Sequence, residues 1–144
     1  MTKEQETLPS LIDTNILVYA YAEDSPKRAQ AVEILKTCFN GEKKLTITLQ
    51  NIGEFCSVAV HKYKMETEQV QEIVEEILQL GNFIKIRYGG KTLEYALLFV
   101  KRYHMGYWDA VLVATMLQFG VSTVLTEDVR FGEVKGIKAV NPFM

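Results

Sequence analysis

Short apolar runs and helical apolar stripes alternate along this chain. The first run ends at Leu11-Ile12 and is followed at once by Asp13-Thr14-Asn15, after which an apolar pattern resumes through Tyr21. A short apolar run bounded by a polar switch is typical of a buried parallel strand, although a buried helix segment can imitate it. We therefore predict a strand that closes on Asp13 and a helix that begins directly after it.

The rest of the chain continues this alternation. Apolar residues recur at helical spacing over Thr67–Gln79, which predicts an amphipathic helix. The segment Tyr107–Phe119 is apolar almost all round, which predicts a helix buried between layers. Further helices are predicted over about 25–39, with Ser25-Pro26 at its start, 50–64 and 92–103, with Thr92 as its cap. Further strands are predicted at 45–48, 83–87, 121–125 and 137–140.

Strands that alternate with helices predict a three-layer α/β/α sandwich with a mostly parallel central sheet. The 144 residues, 48% of them hydrophobic, suit one domain over 1–144, with the polar residues 1–7 as a flexible tail. No apolar stretch approaches the roughly 20 residues of a membrane helix, and the polar start lacks the apolar core of a signal peptide. We therefore expect the protein in the cytoplasm.

Composition narrows the chemistry further. The net charge of −2 gives no global basic signature of nucleic-acid binding, so any contact with a polyanion should be local or assisted by metal ions. Cys38 and Cys56 are expected to be reduced thiols, because a cytosolic chain rarely holds a structural disulfide. His61 and His104 stand in no metal-ligand spacing, so a zinc site is not expected.

Four acidic residues stand out by their place in the predicted fold. Asp13 and Asp128 each follow a predicted strand, Glu54 lies early in the helix after the second strand, and Asp109 opens the buried helix. In an open parallel sheet, strand ends and the following helix starts face the same edge, where ligands bind. The pattern therefore predicts that four carboxylates line one pocket.

Each acid also has an ordinary structural explanation. Asp13 suits a helix N-cap, Asp109 a helix N-terminus, Asp128 a turn, and Glu54 a solvated helix face. Their joint placement favours function, because two carboxylates about 4 Å apart repel by about 4 kcal/mol at an effective dielectric near 20. A fold that gathers four of them is expected to hold a cation, and all-oxygen ligands favour Mg²⁺ or Mn²⁺.

The fragments that carry these acids resemble a known family. They are LIDTNILVYAY with Asp13 and Asn15, TLQNIGEF with Glu54, YWDAVLVATM with Asp109, and VLTEDVRFGEVKGIKAVNPF with Thr126 and Asp128. In this order and spacing they resemble the PIN-domain ribonucleases, and among these the VapC-type toxins of prokaryotic toxin–antitoxin pairs. The resemblance extends over about residues 10–143.

The resemblance implies an α/β/α fold, Mg²⁺- or Mn²⁺-dependent hydrolysis of RNA phosphodiester bonds, and an antitoxin partner. It implies that Asp13, Glu54, Asp109 and Asp128 bind the metal, and that Asn15 and Thr126 orient them. Family members commonly form homodimers, for which the 67–79 helix or the aromatic-rich 95–108 region could supply an apolar patch.

Two positions depart from the family pattern. Some relatives carry a further acid where this chain has Arg130, which could instead contact a substrate phosphate or be a surface residue. Leu49-Gln50 stands where Ser-Thr is more usual, so a looser cap is expected for the helix that carries Glu54.

Rival functions differ in class. A haloacid-dehalogenase-like phosphatase needs a second aspartate where this chain has Asn15, and a response-regulator receiver needs paired acids directly after an early strand. A PIN-like fold kept as a non-catalytic RNA- or protein-binding module is disfavoured by the presence of all four acids. A free-standing RNA-processing nuclease and a toxin are not separated by the sequence, and an adjacent antitoxin gene would decide between them.

Overall fold

The computed structural model describes residues 8–144, so the predicted tail at 1–7 lies outside the described residues. Five strands form the sheet: β1 (Leu11–Ile12), β2 (Leu45–Thr48), β3 (Phe83–Ile86), β4 (Thr123–Leu125) and β5 (Lys138–Val140). They lie in the order β3-β2-β1-β4-β5, and every neighbouring pair is parallel. The sheet predicted to be mostly parallel is therefore parallel throughout.

In the described part of the chain, six α-helices accompany the sheet: α1 (Thr14–Tyr21), α2 (Arg28–Phe39), α3 (Leu49–His61), α4 (Thr67–Gln79), α5 (Gly90–Tyr103) and α6 (Tyr107–Phe119). A 3₁₀ helix, Val129–Glu133, follows β4. The bounds of α4 and α6 are those predicted from the sequence. Within residues 8–144, none of these helices combines the length and the apolar character needed to cross a membrane.

The core lies on both faces of the sheet, as expected for a three-layer sandwich. Consecutive strand residues point to opposite faces, and the two residues of β1 accordingly join different apolar clusters. Ile12 packs in the cluster that holds α1 to α4, whereas Leu11 packs in the cluster that holds α5 and α6. In α6 every residue from Ala110 to Met116 is buried, which confirms the prediction of a helix enclosed by other layers.

Two local predictions about helix starts are wrong. Helix α2 begins at Arg28 rather than Ser25, because the Ser25 hydroxyl accepts from the Lys27 N–H, 3.1 Å away, in a preceding turn. In α5, Thr92 lies inside the helix and accepts from the Gly89 N–H at 2.9 Å. Leu97, in the same helix, is 58% exposed.

The expected looser cap of α3 is also wrong. Thr48 is the last residue of β2, and its hydroxyl accepts from the Asn51 N–H at 2.9 Å. It therefore caps the helix one residue before the Leu49-Gln50 pair at which the cap was expected. Cys38 is buried and Cys56 half-buried, and neither forms a disulfide, in agreement with the expected reduced thiols.

The strand order places a crevice next to β1. From β1 the chain builds outward through β2 to β3, and then returns to add β4 on the other side of β1. Such a reversal opens a crevice at the carboxyl ends of the two central strands, where ligands bind in open α/β sheets. The crevice lies between the residues that follow Ile12 and Leu125.

Candidate active site

The four acids predicted from the sequence line one pocket at this edge of the sheet. Asp13 follows β1, Glu54 lies in α3, Asp109 lies in the first turn of α6, and Asp128 begins the 3₁₀ helix. The same pocket is also lined by Thr14, Asn15, Ser57, Val58 and Phe131. Residues separated by more than a hundred positions thus meet because the parallel strands all end on this side.

Asp13 spans the crevice between the two central strands. Its Oδ1 accepts from the Thr14 N–H at 2.8 Å and so caps α1, while its Oδ2 accepts from the Thr126 hydroxyl at 2.8 Å. The Asp13 N–H also donates to the Leu125 carbonyl, 3.1 Å away. Asp13 is therefore both the helix cap that the sequence allowed and a wall of the acidic pocket.

Burial raises the pKa of Asp13, and the charges of Glu54 and Asp109 raise it further, against the hydrogen bonds from Thr126 and Thr14. The pKa of Asp109 is raised by partial burial and then by the charges of Asp128 and Glu54. Both shifts have the direction expected of carboxylates that repel one another. The acids of the pocket therefore interact electrostatically.

Glu54 is held by a chain of buried polar side chains that sequence reasoning missed. Its Oε2 accepts from the Thr14 hydroxyl at 2.9 Å, and that hydroxyl accepts from the Asn51 amide at 2.9 Å. The Asn51 Oδ1 in turn accepts from the Thr48 hydroxyl at 2.7 Å. Thr14, Asn51 and Thr48 are all buried, so this chain connects the end of β2 to the start of α1 beneath the pocket.

The sequence held a weak signal for these residues. Thr14 stands beside Asp13, and Asn51 lies three residues before Glu54 on the same flank of the helix. Only the fold shows that they meet, because Thr14 and Asn51 are 37 positions apart.

Asp128 is bonded differently from the other acids. Its Oδ1 accepts from the Arg130 N–H at 3.1 Å and from Arg130 Nε at 2.9 Å, and its Oδ2 accepts from Arg130 Nη2 at 2.7 Å. These hydrogen bonds to Arg130 lower the pKa of Asp128. Arg130 therefore stands against the acidic pocket as a paired cation.

The two predicted supporting residues occupy different positions. Thr126 is buried, donates to Asp13, and accepts from the Asp128 N–H at 3.0 Å, so one hydroxyl connects two of the acids. Asn15 lines the pocket with an exposed side chain that forms no hydrogen bond to a described residue. Its predicted orienting role stays a prediction.

Glu127 joins the loop after β4 to the first two helices. It accepts from the Tyr19 hydroxyl of α1 and forms an ion pair with Lys27, which precedes α2. Lys27 Nζ also lies 5.2 Å from the centre of the Tyr19 ring. Thr126 and Asp128 are the sequence neighbours of Glu127, so this cluster also restrains the backbone of these two pocket residues.

The donors of the pocket suit a hard divalent cation, because carboxylate oxygens are the ligands that Mg²⁺ and Mn²⁺ favour. Burial and the charges of neighbouring acids raise the pKa values of Asp13 and Asp109, and a cation would stabilise both carboxylates. As folded, however, no group of three or more His, Cys, Asp or Glu side chains within residues 8–144 is close enough to hold one ion. The carboxylates would have to move inward to bind it.

The comparisons with known proteins agree with this arrangement. The sequence matches the PIN domain family over residues 10–137, which includes all four acids. The chain belongs to the PIN domain family. This confirms the resemblance noted from the four fragments. A comparison with curated proteins gives no match.

Solved structures of toxins share the architecture of this PIN domain. A toxin–antitoxin complex from Klebsiella pneumoniae is 23% identical, with a TM-score of 0.65 over 93% of this chain and 98% of the other. VapC20 from Mycobacterium tuberculosis, described as a sarcin-ricin loop cleaving toxin, is 12% identical, with a TM-score of 0.67 over 85% and 92%. VapBC2 from Rickettsia felis, bound to a promoter DNA fragment, is 18% identical, with a TM-score of 0.66 over 93% and 98%. At these identities the likeness shows the shared fold.

The buried chain below Glu54 gives a direct test of how the pocket is supported. Thr14→Val keeps the side-chain shape but leaves the Asn51 amide without its acceptor. We expect a loss of about 1–3 kcal/mol in the free energy of unfolding, since an unsatisfied buried donor carries its full desolvation cost. Urea denaturation measures it. Thr67→Val, on the exposed first turn of α4, is the control and should change stability little. Equal stability of the Thr14 variant and the wild type would contradict the structural role of this chain.

Proposed function

We propose that this PIN domain is a Mg²⁺- or Mn²⁺-dependent endoribonuclease. The observation that supports it best is the convergence of Asp13, Glu54, Asp109 and Asp128 on one pocket at the switch point of the sheet. A divalent ion bound there would lower the pKa of a water molecule and stabilise negative charge on the phosphoryl oxygens. It would also offset the repulsion between the acidic pocket and the RNA backbone.

The protein's own contribution is to hold the oxygens in place. Thr126 and the Thr14 N–H orient the two oxygens of Asp13. Thr14 and Gln50 each donate to one oxygen of Glu54, at 2.9 and 3.0 Å. These hydrogen bonds orient the two carboxylates before an ion draws them inward, and such preorganisation favours catalysis. No serine, cysteine or histidine nucleophile is required.

Removing one charge from the pocket separates this function from a merely structural role. Asp109→Asn should lower RNA cleavage by about 10²-fold or more, as expected for loss of a group that stabilises developing charge. Without metal, the variant should be at least as stable as the wild type, because a like-charge repulsion is relieved. Cleavage assays with Mg²⁺ or Mn²⁺ and with EDTA, together with denaturation curves, measure both effects.

Asp24→Asn, an exposed aspartate between α1 and α2, is the matched control and should cleave RNA normally. If Asp109 served only the helix N-terminus, its variant would lose up to about 1 kcal/mol of stability and keep its activity. Cleavage that persists in EDTA would remove the metal from the proposal. Metal binding without cleavage of any RNA would favour the alternative, a non-catalytic RNA- or protein-binding module.

We further propose that the protein is the toxin of a type II toxin–antitoxin pair. The support is the shared architecture with the Klebsiella pneumoniae complex and with VapBC2, which are toxin–antitoxin assemblies. An antitoxin could neutralise the pocket with an inserted arginine, because a guanidinium bonds carboxylates in place of metal and substrate. Such a role places the protein in the cytoplasm, with its RNA substrate.

Expression in a bacterial host tests this role. The chain alone should arrest growth, and co-expression with the product of its neighbouring reading frame should restore growth. The Asp109→Asn variant should cause no arrest, since it lacks cleavage activity. Absence of arrest by an active nuclease, or arrest that the neighbour does not relieve, would favour a free-standing RNA-processing enzyme.

The two surfaces predicted for a homodimer differ in how much apolar side chain they expose. On α4 the apolar residues largely face inward, with Val70 and Ile77 buried. On α5, Tyr95, Leu97 and Leu98 are 39%, 58% and 61% exposed. We propose that a homodimer forms through α5, because exposed apolar residues in contiguous positions mark association surfaces.

Leu98→Asp should convert a dimer into a monomer, since it places an unpaired charge in the proposed interface. Leu78→Asp on α4, where the leucine is 45% exposed, is the control and should leave the dimer intact. Sedimentation equilibrium measures the oligomeric state. A dimer that persists in the Leu98 variant and dissociates in the Leu78 variant would assign the interface to α4 instead.

A further inference from the structure

Asp128 is set apart from the other pocket acids by the charge of its partner. Asp13 and Glu54 accept hydrogen bonds from neutral groups, namely backbone N–H, threonine hydroxyls and a glutamine amide. Asp128 instead accepts two side-chain hydrogen bonds from Arg130, at 2.9 and 2.7 Å, and one from its backbone. Within residues 8–144, this is the one ion pair that includes a pocket acid.

The pair leaves the arginine open to a second anion. The Arg130 side chain is 76% exposed, whereas that of Asp128 is 32% exposed. A guanidinium carries five N–H donors in a planar fork, and Asp128 engages only the Nε and Nη2 groups. The remaining donors are available to another oxygen.

The position of Arg130 suits a backbone phosphate. It lies against a cavity next to the acidic pocket, which is also lined by Asp109, Tyr103 and Phe131. Asp109, Asp128 and Phe131 line both this cavity and the acidic pocket, so the two adjoin and RNA bound at the acids would extend over Arg130. A guanidinium presents a rigid planar fork that matches phosphate oxygens in a bidentate geometry, and the hydrogen bonds to Asp128 fix where this fork points.

A metal ion on Asp128 would have to displace this arginine, whereas a phosphate would not. Building on the proposed nuclease function, we propose that Arg130 binds an RNA phosphate beside the scissile bond. Asp128 is then the positioning residue that holds the guanidinium, and Asp13, Glu54 and Asp109 bind the metal without it. Of the four predicted metal ligands, three would then bind the metal, and Asp128 would position Arg130.

Metal binding tests the role of Asp128 without reference to activity. Mn²⁺ is titrated calorimetrically into the purified wild type and into Asp128→Asn and Asp13→Asn. Asparagine is also a good helix cap, so the Asp128 variant should keep its fold while it loses its charge. The Asp13 variant should bind Mn²⁺ about tenfold more weakly or worse, since even residues behind the metal ligands contribute 10–100-fold. The Asp128 variant should bind it nearly as tightly as the wild type.

RNA binding tests the role of Arg130. Fluorescence anisotropy follows a labelled single-stranded RNA in Ca²⁺ at several salt concentrations, with its integrity checked on a gel. Arg130→Gln should weaken binding and reduce the slope of log K against log salt by about 0.7, the value for one phosphate contact on a single strand. Arg130→Lys should have an RNA affinity between those of the wild type and Arg130→Gln, because lysine keeps the charge but lacks the planar fork of donors. Lys138→Ala, an exposed cation at the start of β5 on the opposite edge of the sheet, is the control and should leave the slope unchanged.

Asp128→Asn should also weaken RNA binding, because the arginine loses its anchor, while its Mn²⁺ affinity is kept. A role in folding alone would not separate these two affinities. Equal loss of Mn²⁺ binding in the Asp128 and Asp13 variants would make Asp128 a metal ligand and overturn the proposal. Wild-type RNA affinity and salt slope in Arg130→Gln would overturn it as well. A wild type that binds neither Mn²⁺ nor RNA would instead refute the nuclease function.

Discussion

Repulsion between carboxylates at one edge of a sheet is the constraint on which the rest of this structure depends. At about 4 Å, two such charges repel by about 4 kcal/mol at an effective dielectric near 20, which is comparable with a large part of a domain's stability. Burial is the main cause of the raised pKa values of Asp13 and Asp109, and the charges of neighbouring acids raise both further. Short buried side chains stabilise the carboxylates. The Thr126 hydroxyl donates a hydrogen bond to Asp13, and the Thr14 hydroxyl donates one to Glu54.

The sequence was informative wherever local pattern decides structure. The bounds of α4 and α6 followed from apolar spacing, because one helix presents a single stripe to the core and the other is surrounded by it. The four acids could be placed on one edge because parallel strands all end on the same side. The buried face of α5 was not predicted: the helix buries Thr92, Ala96 and Phe99 against its neighbours, and helical spacing alone did not select that face.

The sequence was silent where contacts join distant positions. Thr14 bonds Glu54 across 40 positions of chain and Asn51 bonds Thr14 across 37, and small polar residues in a helix carry no sign of burial in their own spacing. The pairing of Arg130 with Asp128 is local, yet it depends on the 3₁₀ turn at the end of β4, which the strand pattern did not predict. A departure from the family pattern marked the position of Arg130 without revealing its partner.

The side chains at and around the pocket fall into a buried group and an exposed group, and substitutions in the two groups have different costs in stability. Thr14, Asn51 and Thr126 are each at most 7% exposed, so a substitution there disturbs packing and hydrogen bonding together. Asn15, Arg130 and Glu133 are exposed, and surface changes usually cost within about 0.5 kcal/mol. Homologous chains can therefore change the exposed side chains around the pocket, and with them what the pocket binds, while the buried supporting residues stay the same. This is a physical route by which proteins of low sequence identity can keep one architecture and acquire separate preferences.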